Sequence, residues 1–363
     1  MSEAPLADQV WLRAPESVAL LNALVGDGFE TRFVGGVVRD ALAGRAIADI
    51  DLATTMAPAE TMRRLRAAGI KVVPTGLAHG TVTAVLGGHG YEITTLRQDV
   101  ATDGRHAEVA FTQDWRADAA RRDFTMNAMS ADRAGRVYDY FGGRDDLAVG
   151  RVRFVGEPMR RVEEDFLRIL RFFRFHAWYG AGLIDHAGLE ACRAGVAGLA
   201  RVSAERIRSE LLRLLAAPAP GAALAAMATS GVLTALLGVV GGPIDGLLAL
   251  EASVGRAPDP LLRLAALLPG DGAERAESLR LSRAERAALE ALAPPWTDLG
   301  QDVAAWRRSL HRLGPEAFAR RALLAATAGE ADMLAARLGA AADWRPRQLP
   351  LKGRDLIALG AHA

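Results

Sequence analysis

A chain of 363 residues, half of them hydrophobic, exceeds one ordinary compact domain and can bury a sizeable core, so two or more domains are expected. A formal net charge of +1 excludes a uniformly basic nucleic-acid binder, and the single cysteine, Cys192, excludes an internal disulfide and a thiolate-rich zinc site, in keeping with a reducing cytoplasm. The N-terminal stretch carries Glu3, Pro5 and Asp8 and lacks the basic and apolar pattern of a secretory signal.

The first half reads as a small mixed α/β domain. A helix is predicted near Pro15 to Gly26, a strand at Thr31 to Val34 and a helix from Val37, with Gly35-Gly36 at the joint. Glycines there let backbone N–H groups approach a phosphate at the positive end of the helix, and Arg39 follows one turn in. The next strand is predicted at Asp49 to Ala53. Alternate side chains of a strand share a face, so Asp49 and Asp51 aim both carboxylates at one point while Ile50 faces the core. Paired carboxylates behind a phosphate-binding turn suit two divalent metals about 3.5 to 4 Å apart that activate a hydroxyl and stabilise a pyrophosphate leaving group, which is the chemistry of nucleotidyl transfer.

A helix at Pro58 to Ala68 precedes β-rich runs at Lys71 to Pro74, Thr81 to Leu86, Tyr91 to Leu96 and Val137 to Tyr140, with Gly87-Gly88-His89-Gly90 as a hairpin turn. Glu92 lies on one of these strands, either as a third carboxylate reaching the metals or facing solvent. The segment from Arg97 to Trp115 reads as a mobile loop. In Arg121-Arg122-Asp123-Phe124-Thr125-Met126-Asn127-Ala128, two readings stand side by side: Asp123 as a helix N-cap, or Arg122 on a triphosphate with Asp123 near ribose hydroxyls.

From Met159 onward strand signals vanish and helical spacing continues to the end. Glu164 to Phe175 reads as one apolar helix with Arg168, Arg171 and Arg174 on a single stripe that Asp165 extends by a turn. Buried arginines need anionic partners, which a bound triphosphate would provide, although an internal Asp165 to Arg168 pair also fits the spacing. No charge occurs between Arg213 and Asp245, but Pro218, Pro220, Gly231, Gly241, Gly242 and Pro243 interrupt the stretch, so two short buried helices near 222–229 and 232–237 are predicted in place of a membrane span. The seven histidines are scattered, with no metalloprotease or phosphohydrolase string.

Six segments in order, Gly35-Gly36-x-x-Arg39-Asp40, Asp49-x-Asp51, Arg121 to Ala128, Gly142-Gly143-x-x-Asp146-Leu147, Glu164-Asp165-x-x-Arg168-x-x-Arg171 and Glu205-Arg206-Ile207-x-x-Glu210-Leu211, resemble the motifs of class II tRNA nucleotidyltransferases, the CCA-adding enzymes, and their bacterial poly(A) polymerase relatives. The resemblance runs from about Phe33 to Leu215; beyond it, Leu351-Lys352-Gly353-Arg354-Asp355-Leu356 resembles a segment that precedes a final helix. It implies an α/β head of nucleotidyltransferase fold over residues 1–150, an all-α neck over 151–217 and a helical body and tail over 218–363 that binds tRNA. It makes Asp49 and Asp51 the metal ligands, beside which Glu92 on its strand is the candidate third catalytic carboxylate read from position alone; Gly35, Gly36 and Arg39 become phosphate-binding, and Arg122 and Asp123 contacts to triphosphate and sugar. Asp165 and Arg168 become a protein template for the base, with Arg171 and Arg174 completing the nucleotide site.

The expected activity is Mg²⁺-assisted, template-independent addition of CCA to tRNA from CTP and ATP in the cytoplasm, with no membrane or protein partner. Arginines around Arg201, Arg206 and Arg208 are expected at the primer, and retention of the segment after Arg97 favours complete CCA synthesis. The alternatives are a poly(A) polymerase, an enzyme adding only CC or only A, and a catalytically silent RNA-binding protein.

Overall fold

Runs rich in β-branched residues set the strands, among the described residues, at β1 (Thr31–Val34), β2 (Leu52–Thr54), β3 (Lys71–Gly76), β4 (Thr81–Leu86), β5 (His89–Thr95), β6 (Arg97–Thr102), β7 (Ala107–Phe111), β8 (Ser130–Ala131) and β9 (Val137–Tyr138). The computed structural model describes residues 5–26, 28–102, 107–182, 184–238, 244–268 and 272–345. Seven strands form one sheet in the order β3-β4-β5-β2-β1-β8-β9, in which β2 and β5 are parallel and the other neighbours antiparallel. Leu86 pairs with His89, so the hairpin turn is Gly87-Gly88, and φ values of 57° and 81° at its two residues explain why both are glycine.

The helices of this half are α1 (Val10–Arg13), α2 (Pro15–Ala23), α3 (Gly36–Leu42), α4 (Pro58–Ala67), α5 (Trp115–Ala120) and α6 (Gly143–Ala148). Leu20, Leu21 and Leu24, Val37 and Val38, and Leu65 bury their side chains with Phe33, Leu52, Val82 and Ile93 of the sheet in one core cluster. The sheet thereby fixes the β1–α3 joint and the start of β2, where the predicted phosphate and metal residues sit.

Two predicted elements change. Residues 97–102 and 107–111 are the two antiparallel strands β6 and β7, not a loop, because ladder pairing such as Arg97 with Phe111 satisfies their backbone groups; Asp103 to His106 lie outside the described residues. The single helix expected over Glu164 to Phe175 is two, α7 (Pro158–Glu164) and α8 (Leu167–Tyr179), because Asp165 adopts extended backbone (φ −155°, ψ 105°) and accepts the Leu167 N–H at 3.0 Å. Asp165 is therefore not on the arginine stripe. It sits at the corner before it.

Aromatic packing anchors α8. Phe172 stacks on Phe154 with ring centroids 5.5 Å apart, and Phe124 lies 4.9 Å from Phe154 and 5.0 Å from Phe175. The backbone reinforces it, with Thr125 N–H donating to Arg153 at 3.0 Å and Val155 N–H to Asp123 at 3.0 Å. The helical series continues with α9 (His186–Ala194), α10 (Ala204–Leu215), α11 (Gly221–Thr229) and α12 (Val232–Leu237), the last two matching the predicted short buried helices. Cys192 on α9 is buried, and burial pushes its thiol pKa up, as expected of a small core residue.

The chain divides into units Met1–Gly238 and Val239–Ala363. The described part of the second is helical, with a buried Arg263–Glu251 pair at 2.7 Å between Pro260–Leu267 and Ile244–Ser253. The predicted segment Leu351 to Leu356 lies outside the described residues. No described helix is long and apolar enough to cross a membrane.

Candidate active site

Gly35 ends β1 in a conformation, φ 69° and ψ −117°, that only glycine adopts without strain. Its N–H donates to the Met129 carbonyl at 3.2 Å, and its carbonyl accepts the Arg39 N–H at 3.1 Å as α3 begins. A Cβ at Gly35 would stand 3.0 Å from Arg122 Nη1, so the glycine also makes room for that guanidinium. Arg39, on α3, grips Asp40 through Nε and Nη2, each at 2.9 Å, and donates from Nη1 to Asn127 Oδ1 at 2.6 Å.

Asp49 to Asp51 lie just ahead of β2, which starts at Leu52 and not at Asp49. The Asp51 carbonyl accepts the Val34 N–H at 3.0 Å, so pairing with β1 reaches one residue upstream, and Ile50 packs on the core as predicted. Parallel pairing of Leu52 with Ile93 brings Glu92, an exposed residue on β5, into the neighbourhood of Asp51. The Asp51 pKa is pushed up to about 6, chiefly by burial, then by repulsion from Glu92 and Asp49, against a smaller attraction from Arg122. Among the described residues, no three His, Cys, Asp or Glu side chains form a ready-made metal cage. The donor set nonetheless fits a hard divalent cation: carboxylates close enough to repel one another more than Arg122 compensates, beside a cavity where phosphate oxygens can complete the coordination.

Asp118 on α5 holds Arg121 at 2.8 Å and Arg122 at 3.3 Å. Burial would raise its pKa, but Arg122, Arg121 and the Arg97 N–H together hold it below the ordinary value. Asp123 is buried. Its Oδ1 accepts Phe124 N–H at 2.8 Å and Asn127 Nδ2 at 2.9 Å, and its Oδ2 accepts Arg171 Nε at 2.8 Å and Nη2 at 2.5 Å. Burial pushes this carboxyl up, but Arg171 and Asn127 outweigh it and the net shift is downward.

The arginine stripe of α8 is held by protein carboxylates, and neither by the bound triphosphate nor by the Asp165 pair that the sequence suggests. Arg168 meets Glu164 at 2.5 Å and donates to the carbonyls of Arg161 and Arg121 at 3.0 and 3.3 Å. Arg171 meets Asp123, and Arg174 meets the buried Glu210 of α10 at 2.5 Å. Asp165 does not pair with Arg168; its Oδ2 accepts Arg206 of α10 at 2.6 Å. Arg201, also expected at the primer, lies 5.4 Å from the Phe166 ring.

These side chains wall a cavity of about 460 Å³ lined by Gly35, Gly36, Arg39, Asp51, Arg122, Asp123, Asp165, Arg168, Arg171 and Arg174. Asp49 and Glu92 are outside its lining. Asn127 and Phe175 line it too and were missed, as were the supporting Asp118, Glu164 and Glu210. Spacing signals existed for two of these, since Asp118 precedes Arg122, and Glu164 precedes Arg168, by one helical turn.

Residues 31–153 match the Poly A polymerase head domain, and residues 184–240 match a probable RNA- and SrmB-binding site of polymerase A. The chain is 41% identical over 279 residues to a CCA tRNA nucleotidyltransferase 1, mitochondrial, of Danio rerio, covering 74% of this chain and 64% of that one. Over these residues the chain is similar to the CCA tRNA nucleotidyltransferase and poly(A) polymerase family. It is also 42% identical over 197 residues to a CCA-adding enzyme of Oceanobacillus iheyensis, covering 54% and 48% of the two chains. The chain thus spans about half to two thirds of the length of the curated nucleotidyltransferases it matches. A crystal structure of the Bacillus stearothermophilus CCA-adding enzyme in complex with CTP superposes with a TM-score of 0.77 at 29% identity, covering 96% of this chain and 88% of that one. The Thermotoga maritima CCA-adding enzyme complexed with tRNA shares the fold at a TM-score of 0.69 and 22% identity, covering 97% and 89%.

Proposed function

We propose that this chain is a template-independent nucleotidyltransferase that adds C and A to tRNA 3′ ends from CTP and ATP with release of pyrophosphate. One observation carries the reading: a single cavity gathers a glycine turn, an aspartate under pressure from two neighbouring carboxylates, and a series of arginines held in place by buried acids. The names of its relatives, CCA-adding enzyme and CCA tRNA nucleotidyltransferase, and the CTP held by one of them support the same reading.

We assign Asp49 and Asp51, with Glu92 as third carboxylate, to Mg²⁺, which when bound supplies Lewis acidity at the attacking hydroxyl and charge neutralisation at the pyrophosphate. The chain's own residues do the rest. The Gly35-Gly36 turn, Arg39 and Arg122 bind the triphosphate, and Arg171 and Arg174 complete the nucleotide site. Asp123 acts by fixing Arg171, since its four accepted hydrogen bonds include two from that guanidinium.

Base choice falls to Asp165 and Arg168. Cytosine and adenine both present an amino donor beside a ring-nitrogen acceptor, whereas uracil and guanine reverse the order, so a carboxylate acceptor beside a guanidinium donor accepts CTP and ATP and refuses UTP and GTP. Arg168 suits that task because three protein acceptors fix its plane and leave two of its five N–H donors without a described partner. Catalysis then belongs to residues 1–150, nucleotide selection to 151–217 and tRNA binding to 218–363. A cytoplasmic location accords with the lone buried thiol.

The test is extension, with Mg²⁺, of tRNA transcripts ending before CCA, after C and after CC, offered CTP and ATP separately and together, beside an unstructured RNA. Two C additions followed by one A on tRNA alone support the reading. Unlimited A addition to either RNA assigns the chain as a poly(A) polymerase, and absence of any addition refutes the enzymatic reading.

A further inference from the structure

A second cavity, of about 470 Å³, adjoins the first, and its lining includes Arg45 and Arg144, Leu42 and Leu147, and Tyr179. Tyr179 belongs to the partition between the two. Its hydroxyl donates to Asp40 at 2.7 Å, and its ring lies 4.5 Å from the guanidinium of Arg39, in the wall of the first cavity, and 4.5 Å from that of Arg45, in the wall of the second. The same short chain segment carries Arg45 and, at its end, Asp51 of the first cavity.

The electrostatics of the two cavities differ. In the first, Arg39, Arg122, Arg168, Arg171 and Arg174 each contact a carboxylate. In the second, no carboxylate among the described residues lines the wall, Arg144 has no described side-chain partner, and the one hydrogen-bond partner described for the Arg45 guanidinium is the Trp178 carbonyl. Two guanidiniums with spare donors beside leucine side chains take a phosphate and its attached sugar, and no side-chain carboxylate or amide among the described residues lines the cavity to accept from a base amino group.

Resting on the RNA-extending reading above, we propose that this second cavity grips the sugar–phosphate backbone of the RNA strand's 3′ end, with Arg45 and Arg144 as its phosphate contacts. A strand that grows by C, C and A does not end in the same base throughout, so the grip that delivers its 3′-hydroxyl towards Asp51 must be indifferent to the base. Backbone contacts provide that, since they position a strand without reading it.

The experiment uses the full chain with Arg45→Gln, Arg144→Gln and the double variant, and Arg45→Lys with Arg144→Lys as the charge-retaining control. Binding of a fluorescent tRNA transcript lacking CCA is followed by anisotropy without nucleotide, between about 50 and 200 mM salt, and CTP binding is measured by calorimetry. Loss of two phosphate contacts lowers the magnitude of the log–log salt slope by about 1.4 to 1.8, and the lysine variant keeps most of it. The RNA KM rises severalfold while CTP affinity holds. A double variant with wild-type RNA affinity and slope overturns the proposal. So does one that loses CTP affinity instead, which makes the cavity part of the nucleotide site. If wild-type protein neither binds nor extends tRNA, the functional reading itself fails, and with it this one; wild-type extension beside an unaltered double variant refutes the cavity alone.

Discussion

Asp123→Asn separates a structural strut from a substrate contact. The asparagine oxygen can keep the bonds from Phe124 and Asn127, but its amide group then faces Arg171 Nε and Nη2, donor against donor, where the carboxylate accepted both at 2.8 and 2.5 Å. Two charge-assisted bonds are lost, at about 1.5 to 3 kcal/mol each. Arg171 keeps only Glu210 at 3.7 Å, yet its side chain is 31% exposed, so water recovers part of the loss. A net cost of about 3 kcal/mol results, at the low end for breaking a buried pair from one side. For a unit of this size that lowers Tm by about 6 to 12 °C. Calorimetry of the full chain, following the transition that shifts in the variant, measures it.

The pH dependence checks the cause. The folded Asp123 carboxyl titrates below its ordinary value, so on acidification the unfolded chain takes up the proton first. The carboxylate's contribution is therefore complete above about pH 4 and is lost as pH falls through the folded pKa, where the wild-type and Asn proteins converge. A shift under about 1 °C at neutral pH, or a difference that persists unchanged down to pH 3, would refute the strut.

Asp49→Ala and Asp51→Ala each abolish nucleotide addition and leave tRNA binding intact, read by single-nucleotide extension beside anisotropy; turnover surviving in both removes the metal assignment. Asp165→Ala admits UTP and GTP to a degree comparable with CTP in competition assays, because the acceptor that demands an amino group is gone; undiminished selectivity counts against the template. Gly143→Ala destabilises by about 1 to 3 kcal/mol in denaturant titrations, since overpacking costs that much. Its Cβ would stand 2.2 Å from the Thr125 carbonyl oxygen, and backbone cannot swing away as a flexible side chain does. Wild-type stability there would mean that α6 shifts freely.

How far the site was legible depended on the range of the interaction behind each feature. The Gly87-Gly88 hairpin and the arginines of α8 are local matters of φ preference and helical spacing, and both stand where the sequence predicts them. The corner at Asp165 was hidden because the residues around it can all continue a helix, and the break is favoured by the side chain's bonds to Leu167 N–H and to Arg206, 41 residues along the chain. The ribbon of β6 and β7 was hidden because its polar composition resembles a loop, while ladder pairing is decided between strands.

The partners of the arginine stripe were the least legible, and they matter most for how the site works. Asp123 and Glu210 lie 48 and 36 residues along the chain from the arginines they hold, and no periodicity reaches so far. From the stripe alone, a bound triphosphate and a pair between Asp165 and Arg168 are the visible sources of negative charge. With the acids in place, the guanidiniums are already paired and oriented, so on the proposed reading an incoming triphosphate competes with fixed carboxylates instead of filling an uncompensated positive hole. On that reading the arrangement lowers the electrostatic gain from binding any triphosphate and leaves the proposed base contacts at Asp165 and Arg168 a larger share of the discrimination. A cavity built only of free arginines would bind every nucleotide tightly and select none.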